Sequence, residues 1–539
     1  MALHTGNDSQ RCCRKVHGLA KAAPIGVDSL LMASGDNETT PDRTPTRGRD
    51  LAHGFDRASR PEHRPPPPAG MRPHPPGARE ALDSPGFESE RSALVKVLAL
   101  LGVAVAVACV VLAVVVIRLG DRWDPALEPF VEFVEQERGL EFRRPVDLRR
   151  ADIAAEITRD RELEDELSSG PDAPVNDPWI DAYALLGLIE PNPDVTFEDQ
   201  FTDTLVENAG AFYEPWTETI VLPEGVDDAA LSVTIVHELT HALQHQHGLL
   251  GAGEFDSADT ATVRIALIEG DAERIAFAYF SSLTESEQNA YIDATGIDVE
   301  EVFSDPGNSF YEASFFASYE IGRPLVETII ATEGIDAFNE LLRSKDVGTT
   351  ERLTDPLSGD RQSAANADEL IRLPAGADAS VGDLGSITWF QALAPLVGTD
   401  AALSAIVGYD DDTFATYDDD GTTCARFLVL FDDEVEAAEF AAVVARLSAV
   451  GVAMDRTGVE VDICDPVGDP EDQRFGTILP LIVGGEVASL HVQNGESEST
   501  ARCAALAQAQ TIDARAPAGD FVGFDAIRDQ SADFLVACR

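Results

Sequence analysis

The stretch VTIVHELTHALQHQHG, residues 233–248, decides how this chain is interpreted. It contains four of the ten histidines in the sequence, and its apolar residues follow the spacing of a helix packed into a core. On such a helix His237 and His241 lie four residues apart, so both imidazoles share a face and can reach one metal ion. Glu238 is rotated from His237 by about 100 degrees, which lets its carboxylate reach a metal-bound water instead of the ion.

A third ligand can be sought in two places. His247 lies six residues after His241, which is the spacing of the metzincin pattern H-E-x-x-H-x-x-G-x-x-H. Gln244 occupies the glycine position of that pattern, and a helix continuing through it would turn His247 roughly 100 degrees or more from the ligand face. His245 shares the ligand face but would lie about 6 Å further along the helix, so we expect it to cap the site or face solvent.

The other candidate is Glu269, in the segment ALIEGDAERIAFAYF of a second predicted helix, Ser257–Ser282. One intervening loop would let this helix return antiparallel to the first. Two histidines and one glutamate, with an open fourth position, form a set of catalytic zinc ligands. Glu273, one turn after Glu269, is placed to hydrogen-bond a ligand histidine, and Asp271 is the competing candidate for that supporting role.

Two motifs in this order resemble those of the gluzincin metallopeptidases: HELTH at 237–241 and IEGDA at 268–272. HELTH is the form found in the thermolysin group, and EGDA is similar to the NEGFA stretch of the aminopeptidase N-like group. The order of predicted hairpin, HELTHALQ helix and EGDA helix also resembles that of a group of bacterial HExxH proteins. FYEASFFASYEIG and TTERLTDP resemble later segments of that group, so the resemblance covers roughly residues 125–360.

The resemblance implies one Zn²⁺ cofactor, held by His237, His241 and Glu269. Glu238 would act as the general base for the water that attacks the scissile carbonyl. We therefore expect an enzyme, a zinc metallopeptidase acting on a peptide or protein substrate. Two alternatives stay open: a catalytically inert protein of the same fold that binds a partner or serves as envelope scaffold, and a cell-wall amidase.

The resemblance also implies a substrate-binding edge strand beside the active-site helix, at Phe212–Tyr213 or at Thr219–Leu222. One departure is Glu273, because the thermolysin group has an aspartate at that place. No histidine or tyrosine of this chain is matched to the residue that stabilises the oxyanion. We select Tyr311 as the candidate for that role.

The charge balance argues against a nucleic-acid partner. The sequence has 96 acidic and 39 basic residues, for a formal charge of -57, and residues 1–90 are close to neutral. The part after them therefore carries the whole excess, and such a surface repels phosphate backbones. The composition predicts no oligomeric state.

One segment is typical of a membrane span. Val97–Ile117 has 21 residues without a charge, bracketed by Lys96 and Arg118. A helix of that length crosses a bilayer core of about 30 Å, so we predict one transmembrane helix at 93–119. The preceding residues, 1–92, are rich in Pro and Arg and are predicted to be a disordered cytoplasmic tail.

The basic residues flanking the span are nearly balanced, so the cysteines decide the predicted orientation. An even number of them follows the span in the last part of the chain, which suits two disulfides in an oxidising compartment; these are Cys424, Cys464, Cys503 and Cys538. We expect Cys424–Cys464, on neighbouring predicted strands, and hence Cys503–Cys538, with four free buried thiols as the alternative. The protein is then a single-pass protein of the cell membrane, with its C-terminal domains extracytoplasmic.

The pattern predicts an α+β fold, with a mainly helical, zincin-like domain at 123–380 and a small α/β module at 384–539. The first domain should contain a small sheet with a hairpin at Ala211–Tyr213 and Thr219–Leu222. Its later helices are predicted at 309–332 and 334–344. The module is predicted to contain strands at 423–431, 458–464, 476–482 and 486–493, and helices at 434–448 and 498–509.

Overall fold

The fold is α+β, as the sequence predicts, and is seen in a computed structural model. The structure describes residues 122–168, 177–190, 196–227, 230–250, 257–295, 310–358, 367–372, 380–448, 450–470, 475–514 and 524–539. The predicted cytoplasmic tail and the predicted transmembrane helix at 93–119 lie outside the described residues. Within those residues, no helix combines the length and the apolar character needed to cross a membrane.

Helices make up most of the described chain. The helices of the first half are α1 (Glu128–Arg138), α2 (Ile153–Ser168), α3 (Pro178–Leu185), α4 (Phe197–Asn208), α5 (Ser232–Gln246), α6 (Ala258–Ser282), α7 (Glu285–Thr295), α8 (Phe310–Glu320), α9 (Gly322–Glu333) and α10 (Ile335–Arg343). Those that follow are α11 (Glu351–Thr354), α12 (Ala367–Leu370), α13 (Ser386–Val397), α14 (Thr399–Ala405), α15 (Glu434–Val444), α16 (Leu479–Gln493), α17 (Glu498–Ala509) and α18 (Phe524–Cys538). The strands are β1 (Asp147–Ala151), β2 (Phe212–Glu214), β3 (Thr219–Pro223), β4 (Ser380–Gly382), β5 (Tyr409–Asp419), β6 (Thr422–Phe431), β7 (Val450–Asp455) and β8 (Gly458–Ile463).

A three-stranded sheet with the order β1-β3-β2 packs against helix α5. The predicted hairpin is present, because β2 and β3 pair antiparallel with Tyr213 opposite Ile220. Strand β1 pairs with the other side of β3 in parallel. Strand β3 is therefore central, and of the two candidate edge strands only β2 has a free edge among the described strands.

A five-stranded antiparallel sheet with the order β4-β5-β6-β8-β7 occupies the C-terminal part of the chain. Both predicted disulfides are confirmed: Cys424 pairs with Cys464, and Cys503 pairs with Cys538. The first joins the ends of neighbouring strands β6 and β8, as the predicted strands implied, and the second joins α17 to α18. Strands β5 and β7 were not predicted from the sequence.

The predicted strands at 476–482 and 486–493 are wrong, because this segment forms α16, preceded by one 3₁₀ turn at Phe475–Ile478. The helix is buried around most of its circumference, so its sequence is apolar without a helical stripe. A short apolar run of this kind has no period that separates a buried helix from a buried strand. Gly485 faces Pro324 so closely that an added Cβ would lie 3.0 Å from the proline Cγ.

One hydrophobic core runs through both predicted domains. Leu267 of α6, Trp389 of α13 and Phe427 of β6 are buried in the same apolar cluster. The described residues from Trp123 to Arg539 accordingly belong to one compact unit. Helix α6, which carries Glu269, thus rests partly on side chains supplied by the last third of the chain.

Two glycines allow α6 to approach the junction of α8 and α9 at backbone contact. A Cβ added to Gly270 would lie 2.3 Å from the carbonyl carbon of Gly322, and one added to Gly322 would lie 2.3 Å from the Ala266 carbonyl oxygen. The predicted single helix at 309–332 is in fact broken at this place, between Glu320 and Gly322. Since Gly270 follows Glu269 directly, this crossing fixes the position of that carboxylate.

Candidate metal centre

Helices α5 and α6 bring three predicted ligands together. Nε2 of His237 lies 2.9 Å from Nε2 of His241. Oε2 of Glu269 lies 3.2 Å from Nε2 of His237 and 3.3 Å from Nε2 of His241. All three side chains are buried, and one ligand atom from each lies within 4.8 Å of the others. These residues could therefore hold a metal ion.

The electrostatics of the cluster favour a cation. Burial alone would lower the pKa of His237, but its bonds to Glu269 and Glu273 outweigh burial and raise this pKa to about 10. Burial also opposes ionisation of Glu269, yet the neighbouring His241 and His237 hold its pKa below the ordinary value. The carboxylates thus stabilise positive charge where the ligand atoms converge, and a divalent cation could replace the proton.

Glu273 takes the supporting position that its spacing predicts. Its Oε2 lies 3.4 Å from Nδ1 of His237. A carboxylate at Nδ1 keeps the proton of a neutral imidazole on that atom and leaves Nε2 free to bind a metal. Glu273, in place of the aspartate of the thermolysin group, therefore still reaches the first histidine.

Gln244 gives His241 the equivalent support. Its Oε1 lies 3.0 Å from Nδ1 of His241. Its Nε2 donates to the Ile268 carbonyl, at 3.1 Å, and to Oδ2 of Asp271, at 3.0 Å. Because both of these partners only accept hydrogen bonds, the amide oxygen must face the histidine, so Nδ1 carries the proton and Nε2 is the free ligand atom.

Asp271 therefore supports the site through Gln244 and does not contact a ligand histidine itself. Burial raises its pKa, but Arg138 and Arg274 outweigh burial and lower it below the ordinary value. The sequence pattern did not identify Gln244 or Arg138. For Gln244 a signal existed, since it lies three residues after His241 on the same helix and so on the same side.

Glu238 lies beside the ligands and is fully buried. Neither of its oxygens has a partner of good hydrogen-bond geometry among the described residues. Burial raises the pKa of this carboxyl well above its ordinary value; the neighbouring His237 and, to a smaller extent, an interaction with the backbone amide of Tyr213 offset only part of that. The contact places the carboxyl group next to strand β2, on the side of α5 that faces the sheet.

The other two histidines of the opening stretch lie away from the cluster. Nδ1 of His245 bonds to the hydroxyl of Tyr213, at 2.9 Å, so this side chain ties α5 to strand β2. His247 ends α5, and its Nε2 lies 2.9 Å from the backbone carbonyl of Glu141. The structure thus groups Glu269, and not His247, with the two ligand histidines.

The structure places Tyr311 in a different aromatic cluster. Its ring packs against Phe197 and Phe310, and its buried hydroxyl has no hydrogen-bond partner among the described residues. Tyr319 lies two turns further along α8, about 12 Å along the helix axis. Its ring centroid is 6.3 Å from that of His237, so Tyr319 is the tyrosine of α8 that borders the ligands.

Comparison with known proteins agrees with this site. Residues 196–297 match the model of a family described as "Putative metallopeptidase family (DUF6782)". The matched segment spans strands β2 and β3 and helices α5 and α6, and thus includes all three candidate ligands. No curated protein and no solved structure matches the chain. The ligand cluster and the family match together support a metallopeptidase.

Proposed function

We propose that this protein is a zinc metallopeptidase of the gluzincin type that hydrolyses peptide bonds. The observation that carries the proposal is the convergence of His237, His241 and Glu269 in one buried place. Two imidazoles and one carboxylate form a catalytic zinc set. Bound there, zinc would polarise the scissile carbonyl and lower the pKa of a water molecule.

Glu238 is the general base in this proposal. Its side chain lies on the same helix as the histidines, next to them and outside their cluster, and no neighbouring side chain neutralises it by a close hydrogen bond within the described residues. Burial raises its pKa, which makes the carboxylate a better proton acceptor. It takes the proton of the attacking water and passes it to the leaving amine.

The free edge of β2 supports a peptide as substrate. Strand β2 pairs only with β3 among the described strands, so its other edge is open to an extended chain, apart from the Tyr213 amide, which interacts with Glu238. The same strand contacts α5, and the Tyr213 amide interacts with Glu238. A peptide added to this edge would therefore pass close to the general base.

The protein is further proposed to be a single-pass membrane protein, anchored by the apolar segment Val97–Ile117 and facing the extracytoplasmic side. The two disulfides, Cys424–Cys464 and Cys503–Cys538, support an oxidising compartment for the residues that follow the segment. Protease protection of intact cells or of sealed vesicles, read with antibodies to either terminus, tests this orientation.

The test of the activity uses the full-length chain loaded with zinc and a proteome-derived peptide library, with products read by mass spectrometry. Glu238→Gln is the matched control, because it keeps the ligands and the size of the side chain and removes the base. We expect cuts from the wild type alone, with zinc bound stoichiometrically to both proteins. Glu269→Ala should lose the zinc. Equal cutting by wild type and Glu238→Gln would refute the proposed mechanism.

A second candidate is a metal-binding protein without turnover that serves as a scaffold or binds a partner. The observation in its favour is that the three ligands and Glu238 are all buried. The most exposed of these four residues is His237, and only 3% of its surface is exposed. Stoichiometric zinc with no cut in any peptide would favour this candidate. Cleavage of muropeptides but not of proteins would instead identify a cell-wall amidase.

A further inference from the structure

We infer that Arg138 is a positioning residue of the metal centre, which acts on the ligand His241 through Asp271 and Gln244. The inference rests on the proposed metal site and goes beyond it, because Arg138 lies on α1, outside the motifs and outside the segment that matches the metallopeptidase family. Its test reads metal affinity, so it does not depend on whether the protein cleaves peptides.

A continuous set of buried hydrogen bonds carries the inference. Nε of Arg138 donates to Oδ2 of Asp271, at 2.7 Å. The same carboxylate oxygen accepts from Nε2 of Gln244, at 3.0 Å, and Oε1 of Gln244 lies 3.0 Å from Nδ1 of His241. The chain of contacts thus runs from the last residue of α1 to a metal ligand without a gap.

The orientation of the Gln244 amide is what this chain of contacts controls. Asp271 and the Ile268 carbonyl both accept from the NH₂ group of Gln244. If Asp271 moved or turned away, the Ile268 carbonyl would be the one remaining acceptor of these two, and the barrier to a flip that presents the NH₂ group to His241 would fall. After such a flip, Nδ1 of His241 would have to accept a hydrogen bond, and the proton of the neutral ring would move to Nε2. That tautomer cannot bind a metal through Nε2, so Asp271, together with the Ile268 carbonyl, keeps the ligand competent.

Two arginines bind Asp271. Arg274, on the same helix and partly exposed, donates to Oδ1 at 3.1 Å. Arg138, fully buried and from another helix, donates to Oδ2, the oxygen that Gln244 also uses. Arg138 is therefore the arginine that fixes Asp271 from outside its own helix. Its guanidinium also donates to Oδ1 of Asn339 on α10, at 2.6 Å, and lies over the ring of Phe338 with 5.6 Å to the centroid. Neither Arg138 nor Asp271 exposes any side-chain surface to solvent. Burying an ion pair costs desolvation energy, whereas burying two apolar side chains does not. Stability alone is therefore a weak reason for the Arg138–Asp271 pair to be present.

The chain offers a matched control in Arg264. It is also a buried arginine, and it lies on α6, the helix that carries Glu269. Its guanidinium donates to the backbone carbonyls of Leu342 and Ser344 at the end of α10. Removing it should lower stability in the same way as removing Arg138, but it has no hydrogen-bonded route to His241 through the contacts described above.

The experiment compares Arg138→Met, Arg138→Lys and Arg264→Met in the full-length chain. Zinc affinity is measured by competition with a chelator, the Co²⁺-loaded proteins are compared by absorption spectroscopy, and thermal unfolding is followed without metal. We expect Arg138→Met to weaken zinc binding about 10- to 100-fold and to alter the Co²⁺ spectrum. Arg138→Lys should keep part of the affinity, because it retains the charge but not the fork of donors. Arg264→Met should bind zinc within about twofold of the wild type.

A double-mutant cycle with Gln244→Leu tests the proposed route. If Arg138 acts through Gln244, Arg138→Met should cause little further loss of zinc affinity in the Gln244→Leu background. Additive losses, unchanged zinc affinity in Arg138→Met, or an equal loss in Arg264→Met would each overturn the inference. A wild-type protein that binds no zinc would overturn the proposed function as well, whereas zinc binding without peptidase activity would leave this inference standing.

Discussion

Gln244 bonds through its Oε1 to Nδ1 of His241, at 3.0 Å, and the other end of its amide is held by two acceptors. Gln244→Leu removes this support and leaves the Nδ1 proton of His241 without a partner. We expect zinc affinity to fall about 10- to 100-fold, as for other partners of ligand histidines. Isothermal titration of the metal-free protein with zinc measures the change.

Gln246 provides the control for Gln244 on the same helix. It is also buried, and its amide bonds to the backbone of Arg143 and Arg144, away from the ligands. Gln246→Leu should lower the free energy of unfolding but leave zinc affinity within about twofold. Equal zinc affinities for the two variants would show that the bond to Nδ1 does not support the ligand.

Gly270→Ala should damage the metal centre through the backbone. An added Cβ would lie 2.3 Å from the Gly322 carbonyl carbon, so α6 must move away from α9 and carry Glu269 with it. We expect the free energy of unfolding to fall by about 1–3 kcal/mol, because the neighbour is backbone that cannot rotate aside. We also expect weaker zinc binding. Chemical unfolding and zinc titration of the same preparation measure both effects.

Gly484→Ala is the matched substitution in another buried helix. Its Cβ would meet only the Ala509 Cβ, at 3.6 Å, which is an ordinary contact. Alanine is the better helix former, so this variant should be as stable as the wild type or more stable by up to about 1 kcal/mol. If Gly270→Ala behaved like Gly484→Ala, the close helix crossing would not be what fixes Glu269.

Local signals account for the parts of the fold and site that the sequence predicted. Helix α6 begins after Ser257, whose side chain caps the amide of Thr260, and the predicted start was the same serine. The spacing within α5 likewise identified both histidines, and the spacing within α6 placed Glu273 one turn after Glu269. The choice of Glu269 over His247 came from the resemblance to the gluzincins. The helix start, the histidine pair and the Glu269–Glu273 spacing depend on residues within one or two helical turns, and the period of the pattern reports them directly.

Features that depend on packing between distant segments were not predicted. Arg138 reaches Asp271 across 133 residues of sequence, and no local pattern marks it. Tyr311, the candidate for the oxyanion role, does not lie at the ligands, and the sequence pattern did not identify Tyr319, because tertiary packing decides which face of α8 borders His237. The strands assigned within α16 were wrong for a related reason, since burial on all sides erases the helical period.

Tyr319 is expected to matter for turnover and Tyr311 is not. If Tyr319 donates to the oxyanion in the proposed reaction, Tyr319→Phe should lower kcat about 10²- to 10³-fold and leave zinc affinity unchanged. Tyr311→Phe, on the same helix but in the cluster with Phe197, should keep kcat within a few fold. Steady-state kinetics on a peptide from the library decides between them, and equal kcat values would remove Tyr319 from the mechanism.

Glu351 should make the protein less stable as the pH rises. Burial, followed by the nearby Asp355, raises the pKa of Glu351 to about 8 in the folded protein, and an unfolded glutamate has an ordinary pKa. The folded state therefore binds the proton more tightly. The resulting stability is fully present below the unfolded pKa and is lost as the pH rises through about 8. The loss amounts to a few kcal/mol, and at most about 5.

Glu351→Gln should remove this loss, because a neutral amide can still accept the bond that the Gly408 amide donates to Oε1 at 2.9 Å. We expect the variant to match the wild type near pH 5 and to be more stable near pH 9, measured by chemical unfolding with a chelator present so that metal does not contribute. Glu439→Gln, at an exposed position of α15, is the control, and its stability relative to the wild type should not change between pH 5 and pH 9 in this way. A Glu351→Gln variant that is less stable by the same amount at every pH would mean that Glu351 stays ionised in the folded protein.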